Sequence, residues 1–223
     1  MGSNITLKAG DGHGFSAYRA DPSGTPKAGL VVIQEIFGVN GHMRNVTDRF
    51  ASQGYVAICP AILDRTQRDV ELGYTPDDIE KAKALRANVT YDQALADIKA
   101  CRDLLAGEGL KVGVVGYCWG GSLAWASACR LEGFDVAVSY YGGDVPNMAD
   151  EKAKCPAQFH FGEKDQGIPL DKVAIVKQKQ PNHPLFIYEG AGHGFSCDER
   201  GSFNEAASKL AGERTAEFLA KHL

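Results

Sequence analysis

Short apolar runs alternate with longer helix-spaced segments, and this alternation limits the folds open to the chain more than any other feature. The runs are AGLVVIQ (28–34), YVAIC (55–59), KVGVVG (111–116), FDVAVSYYG (134–142), PAQFHFG (156–162) and PLFIYEG (184–190). Each is nearly continuous in β-branched or aromatic residues, as strands covered on both faces must be. Between them, residues 41–53 place Met43, Val46 and Phe50 on one helical face, and 91–106 do the same with Leu95, Ile98 and Leu105. Further helices are expected at 120–131, at 169–180 and from about 203. The pattern predicts an α/β doubly wound fold: a mostly parallel sheet with helices on both faces. NITLKA and GFSAYRA flank DGHG, whose Asp-Gly suits a tight turn, so an antiparallel hairpin should come first. The polar stretch 64–90, with a helix start at Asp77-Asp78, is expected to pass over the sheet edge. No repeat, low-complexity tract or linker interrupts the pattern, and residues 1–223 are expected to form one domain.

Charge narrows the partners. At −4 overall, with Lys and Arg scattered among Asp and Glu, the chain has no basic stripe to neutralise a phosphate backbone, so nucleic acid is not expected. The N-terminus lacks a cationic start followed by an apolar run, and no segment approaches the roughly 18 apolar residues of a membrane span. The six cysteines, at 59, 101, 118, 129, 155 and 197, form no CxxC pair, which fits a reducing compartment. A cytoplasmic protein with no membrane partner is expected. The sequence does not set the oligomeric state, and a monomer is compatible with it.

KVGVVGYCWGGSLAWASAC reads as strand, sharp turn and helix, with Cys118 at the turn between Gly116 and Gly120. This is the context of a nucleophile elbow, where the strand end and helix start approach too closely for a Cβ at either glycine. A sulfur there sits at a helix N-terminus, which favours negative charge on it. A buried cysteine beside packing glycines would read the same way locally, so a base and an acid are needed elsewhere. Of six histidines, His13 and His222 are expected to be solvated, and His42, His160 and His183 structural or on the surface. His193, in EGAGHGF, follows the last strand on the edge where such sheets bind ligands. In this fold the order is nucleophile, acid, base, so Asp165 in FHFGEKDQGIP is the expected acid, with Asp144 its competitor. Glu35 ends an apolar strand, where an unpaired carboxylate is costly, and it faces either the thiol or a cation such as Arg44. The Ile36 and Trp119 N–H groups are the expected oxyanion donors.

Taken in order, QEIFGVN, GYVAICP, VGVVGYCWGG, FGEKDQGIP and GAGHGF resemble the dienelactone hydrolase family of the α/β-hydrolase fold, across nearly the whole chain. The resemblance implies Cys118 as nucleophile, His193 as base and Asp165 as its orienting partner. It also implies Glu35 as a carboxylate that contacts the resting thiol and helps deprotonate it when substrate enters. The substrate would be a small lactone or carboxylic ester, opened through a thioester, with no metal or organic cofactor. In the family enzyme the substrate is dienelactone, whose carboxylate is held by arginines, one of them four residues past the catalytic histidine. Here that position is Cys197, and the next arginine is Arg200. A thiol cannot supply bidentate carboxylate recognition, so Arg86, Arg65 or Arg68 would have to compensate. Phe37, Tyr117, Tyr141, Phe195 and Trp119 are candidates to line the pocket. A competing reading is a peroxide-reactive or redox-sensing thiol on the same fold, with Cys197 resolving Cys118.

Overall fold

The computed structural model describes residues 2–223. Its centre is an eight-stranded sheet in the order β1-β2-β4-β3-β5-β6-β7-β8. The strands are β1 (Ser3–Lys8), β2 (Gly14–Ala20), β3 (Ala28–Ile33), β4 (Tyr55–Pro60), β5 (Val112–Tyr117), β6 (Val136–Tyr140), β7 (Ala157–Gly162) and β8 (Leu185–Tyr188). The hairpin β1–β2 is antiparallel and joins β4 antiparallel; every pairing from β4 onward is parallel. All residues of β3 to β7 are buried, which is what continuous apolar runs require.

Helices α1 (Gly41–Ser52), α2 (Pro76–Arg86), α3 (Tyr91–Gly107), α4 (Trp119–Arg130), α5 (Leu170–Lys179) and α6 (Glu205–His222) surround the sheet. Local chemistry fixes where four of them begin, Asn204 capping α6 by accepting from the Ala207 N–H. Asn40 accepts from the Met43 N–H, and Thr75 and Thr90 each form a reciprocal capping box with the residue three positions on. Thr75 with Pro76 behind it starts α2 ahead of the Asp77-Asp78 pair. No helix among the described residues is long and apolar enough to cross a membrane.

From β3 the chain crosses to β4 on one side, while β5 lies on the other. The strand order therefore switches at β3, opening a crevice at the carboxyl ends of β3 and β5. The polar stretch after β4 lies across this crevice rather than over the sheet edge. Its Leu72 N–H donates to the Phe37 carbonyl at 2.9 Å, Glu71 bridges to Gly38, and Arg86 reaches Asp144 beyond β6. The backbone leaving β3 has no strand neighbour there, and this segment supplies its hydrogen-bond partners.

Candidate active site

Cys118 is the first residue past β5 and the N-cap of α4, with φ 56° and ψ −118°. That backbone conformation costs about 1–3 kcal/mol for a non-glycine residue and persists only where its surroundings enforce it. The glycines do so. A Cβ on Gly116 would run into the Gly120 carbonyl, and one on Gly120 into the carbonyls of Ile33 and Gln34. Cys118 closes the turn by accepting from Gly121 and Ser122 N–H groups at 3.0 and 3.2 Å. Its partly exposed sulfur stands at the crevice.

Two loops from more distant strands meet that sulfur. His193, past β8, brings Nε2 to 3.1 Å from Cys118 Sγ, and its Nδ1 lies 2.7 Å from Asp165 Oδ2. Asp165, past β7, is fully buried, and its other oxygen accepts from the Gly167 and Ile168 N–H groups. That loop fixes the carboxylate's direction, and the carboxylate in turn fixes the imidazole tautomer. Burial alone would push the His193 pKa down. The charge on the Cys118 sulfur and the Asp165 carboxylate outweigh it and lift the group to about 10. Asp144, the competing acid, is engaged elsewhere: its carboxylate takes Arg86 at 3.0 Å and the Tyr91 hydroxyl at 2.8 Å.

The cleft above the sulfur is about 350 Å³, and Ile36, Lys83, Arg86, Cys118, Trp119 and His193 lie in its wall. Trp119 is the first residue of α4, so its N–H is one of the four that no helical carbonyl can accept. Of the candidate arginines, Arg86 lies in the cleft, over the Trp119 ring. Arg65 is committed to the buried Asp97, and Arg68 donates to the Gly14 carbonyl. The remaining aromatic candidates pack behind the cleft rather than lining it. Phe37 meets Tyr74 edge-on, Tyr141 backs the His193 ring, and Phe195 is buried against Tyr141. Tyr117 packs at a tilt against Tyr140 and faces a different cavity. Large rings at strand ends fill the space between loops, which sequence position cannot distinguish from lining a pocket.

Glu35 is 1% exposed, and its partner is Arg200 at 3.2 Å rather than Arg44, which pairs with Glu71. The Cys118 sulfur meets the imidazole, so the carboxylate contact expected of a resting thiol is not the hydrogen bond found here. The second Glu35 oxygen is buried and has no partner among the described residues. Cys197 is fully buried beneath this pair, its thiol pushed up to about 11 by burial and then by the Glu35 charge. His42, expected to be structural or on the surface, is structural: it is 1% exposed and meets Asp198 at 2.9 Å, tying α1 to the His193 loop. Among the described residues, no group of three or more His, Cys, Asp and Glu is placed to hold a metal ion.

The family model of the dienelactone hydrolase family matches residues 15–223. The carboxymethylenebutenolidase of Pseudomonas putida is 33% identical over 228 residues, covering 97% of this chain and 95% of the relative. A protein of Synechocystis sp., provisionally named a carboxymethylenebutenolidase, is 35% identical over 228 residues, with 94% and 92% covered. Among solved structures, a provisionally named dienelactone hydrolase from Klebsiella pneumoniae superposes with a TM-score of 0.85 at 28% identity. That match covers 98% of this chain and 99% of the other.

Proposed function

The chain belongs to the dienelactone hydrolase family and is an ester or lactone hydrolase; from that premise we propose that it works through Cys118 by way of a thioester. The observation that carries the proposal is the unbroken line of contacts from Cys118 Sγ to His193 Nε2, and from Nδ1 to Asp165. In the first half-reaction the thiolate attacks the acyl carbon, and the Ile36 and Trp119 N–H groups receive the developing oxyanion. The intermediate collapses, the C–O bond to the leaving alkoxide breaks, and the imidazolium gives that oxygen its Nε2 proton. For a lactone, the alcohol formed stays attached to the acyl group. In the second half, His193 takes a proton from water, the hydroxide attacks the thioester, and the C–S bond breaks to return thiolate and imidazolium. Asp165 accepts the hydrogen bond from Nδ1–H throughout and balances the imidazolium charge.

Glu35 enters this scheme as a second proton acceptor. Arg200 holds one of its oxygens, and the other is free to take the proton of a resting thiol turned from the imidazole, giving the attacking thiolate, and to return it once the C–S bond has broken. The substrate's own carboxylate, where it has one, would meet Lys83 and Arg86 at the cleft wall. The chain would act without metal or organic cofactor.

Cys118→Ala should abolish turnover of small lactones and activated esters, and intact-mass measurement of the wild type with a slow ester should show an acyl adduct on Cys118. Wild-type rates in the alanine variant would sink the assignment. A panel of esters with and without a free carboxylate, run on Arg86→Gln, then reads the clamp. The variant should raise KM for the carboxylate-bearing members alone.

A further inference from the structure

Tyr117 precedes Cys118 directly, yet its ring faces away from the reaction cleft. It lies in the wall of a second cavity of about 210 Å³, between α1 and α6. An engineered protein cavity of roughly 150 Å³ already accepts benzene, so the space suits a monocyclic ring. Phe50 and Tyr140 add aromatic surface to the wall.

The same cavity is positively charged. Arg49 and Lys209 line it, and no aspartate or glutamate does among the described residues. Arg49 has Asp198 at 3.9 Å, with both side chains about half exposed, a separation and exposure at which an ion pair contributes little. Burial pushes the Tyr117 and Tyr140 phenols up, and Arg49 opposes that shift in both, so its charge is felt at the cavity floor. The Ser196 and Ser208 hydroxyls in the wall stand 3.4 Å apart, too long for a strong mutual bond, which leaves their hydrogen-bonding capacity open.

We propose that this cavity is a second ligand site, for a small aromatic carboxylate whose ring rests among Phe50, Tyr117 and Tyr140 and whose carboxylate is held by Arg49 and Lys209. Its occupant touches both halves of the reaction centre indirectly. Tyr117 is the residue before Cys118, and Ser196 lies three residues past His193 on the loop that also carries Arg200. A ligand there therefore alters turnover without entering the cleft. The effect on turnover rests on the roles proposed for Cys118 and His193; the binding does not.

Benzoate is the probe, titrated calorimetrically into the full chain and added to ester hydrolysis assays. Saturable binding is expected, weakened roughly tenfold or more in Arg49→Gln/Lys209→Gln, since charge-assisted contacts are lost. Inorganic phosphate, which has no ring, should bind at least about tenfold more weakly than benzoate. In kinetics, benzoate should change kcat at saturating ester, and the double variant should keep basal turnover but lose the response. Binding that survives in the double variant, or inhibition competitive with ester, would place benzoate in the reaction cleft and overturn the proposal. Equal binding of phosphate would overturn the aromatic class, and binding with no change in turnover would overturn the coupling. Should Cys118→Ala stay active, the proposed chemistry fails while the binding result stands.

Discussion

Asp165 and Asp144 leave neighbouring strand ends, yet Asp165 meets the imidazole while Asp144 is bound to Arg86 and Tyr91. Asp165→Asn should lower kcat by roughly 10³–10⁴-fold, because an amide offers the imidazole Nδ1 no fixed anionic acceptor and the wrong tautomer is then allowed. Asp144→Asn should leave kcat near wild type and shift KM, because Arg86 loses its carboxylate partner. A crippled Asp144→Asn beside an active Asp165→Asn would reverse the assignment. Chain order was enough to favour Asp165 from sequence. It was not enough for Arg200, because counting residues from His193 leads to Cys197. Two successive turns, Cys197 N–H to Gly194 O and Arg200 N–H to Cys197 O, fold the loop back on itself. Gly194, at φ 74°, leaves the space that the Arg200 guanidinium fills. That return path is set by backbone geometry, and no spacing rule in the sequence encodes it.

Among the elements, the strand–turn–helix around Cys118 was the most legible, because Gly116 and Gly120 are required by contacts between segments that are local in sequence. The strands β3 to β7 were legible for a related reason: burial on both faces leaves a continuous apolar run, and each of them, like the edge strand β8, begins within two residues of its expected start. The path of the polar stretch 64–90 was not, although its helix start at Asp77-Asp78 was. That stretch is held by isolated contacts to Phe37, Gly38 and Asp144, and hydrophobic period carries no trace of such contacts. The elbow gives a direct test. Gly116→Ala puts a methyl group against the Gly120 backbone, which has no side chain that can move aside. A loss of several kcal/mol of stability, or displacement of α4 with loss of activity, is expected. Gly24→Ala, away from the cleft and where an added Cβ meets nothing within 4 Å, is the control. Equal urea midpoints and equal activities for the two variants would show that the close approach does not constrain the elbow.

At the scale of the whole molecule, two histidines set opposite limits to the pH range of stability. His160 lies fully buried in β7, against Tyr188 Oη at 2.8 Å, Gln158 Oε1 at 3.0 Å and Thr215 Oγ1 at 3.2 Å. Burial, reinforced by the Arg214 charge, takes its pKa from an ordinary 6.5 down to about 3. Between those values the unfolded chain binds a proton that the folded one refuses. The stability this site contributes is therefore present above 6.5 and lost as pH falls toward about 3, at up to about 1.4 kcal/mol per pH unit. His183, pushed down by its own burial, acts in the same direction. His193 has the opposite sign. Because the Cys118 sulfur's charge is what raises it to about 10, the pair holds one proton in the folded state, as it does unfolded between about 6.5 and 8.5, and its contribution is lost only as pH rises past about 8.5 toward about 10. Urea unfolding at pH 5, 7 and 9 should give a maximum near neutrality. His160→Gln should flatten the acid limb, and Cys118→Ala should flatten the alkaline one, because the sulfur's charge is the largest influence raising His193. If the glutamine variant does not fold, the wild-type acid limb is itself decisive, since equal stability at pH 5 and pH 7 would mean that His160 is not held neutral in the core. An alkaline limb unchanged by Cys118→Ala would mean that the sulfur does not hold the proton on His193, and would remove the imidazolium–thiolate pair from the proposed mechanism.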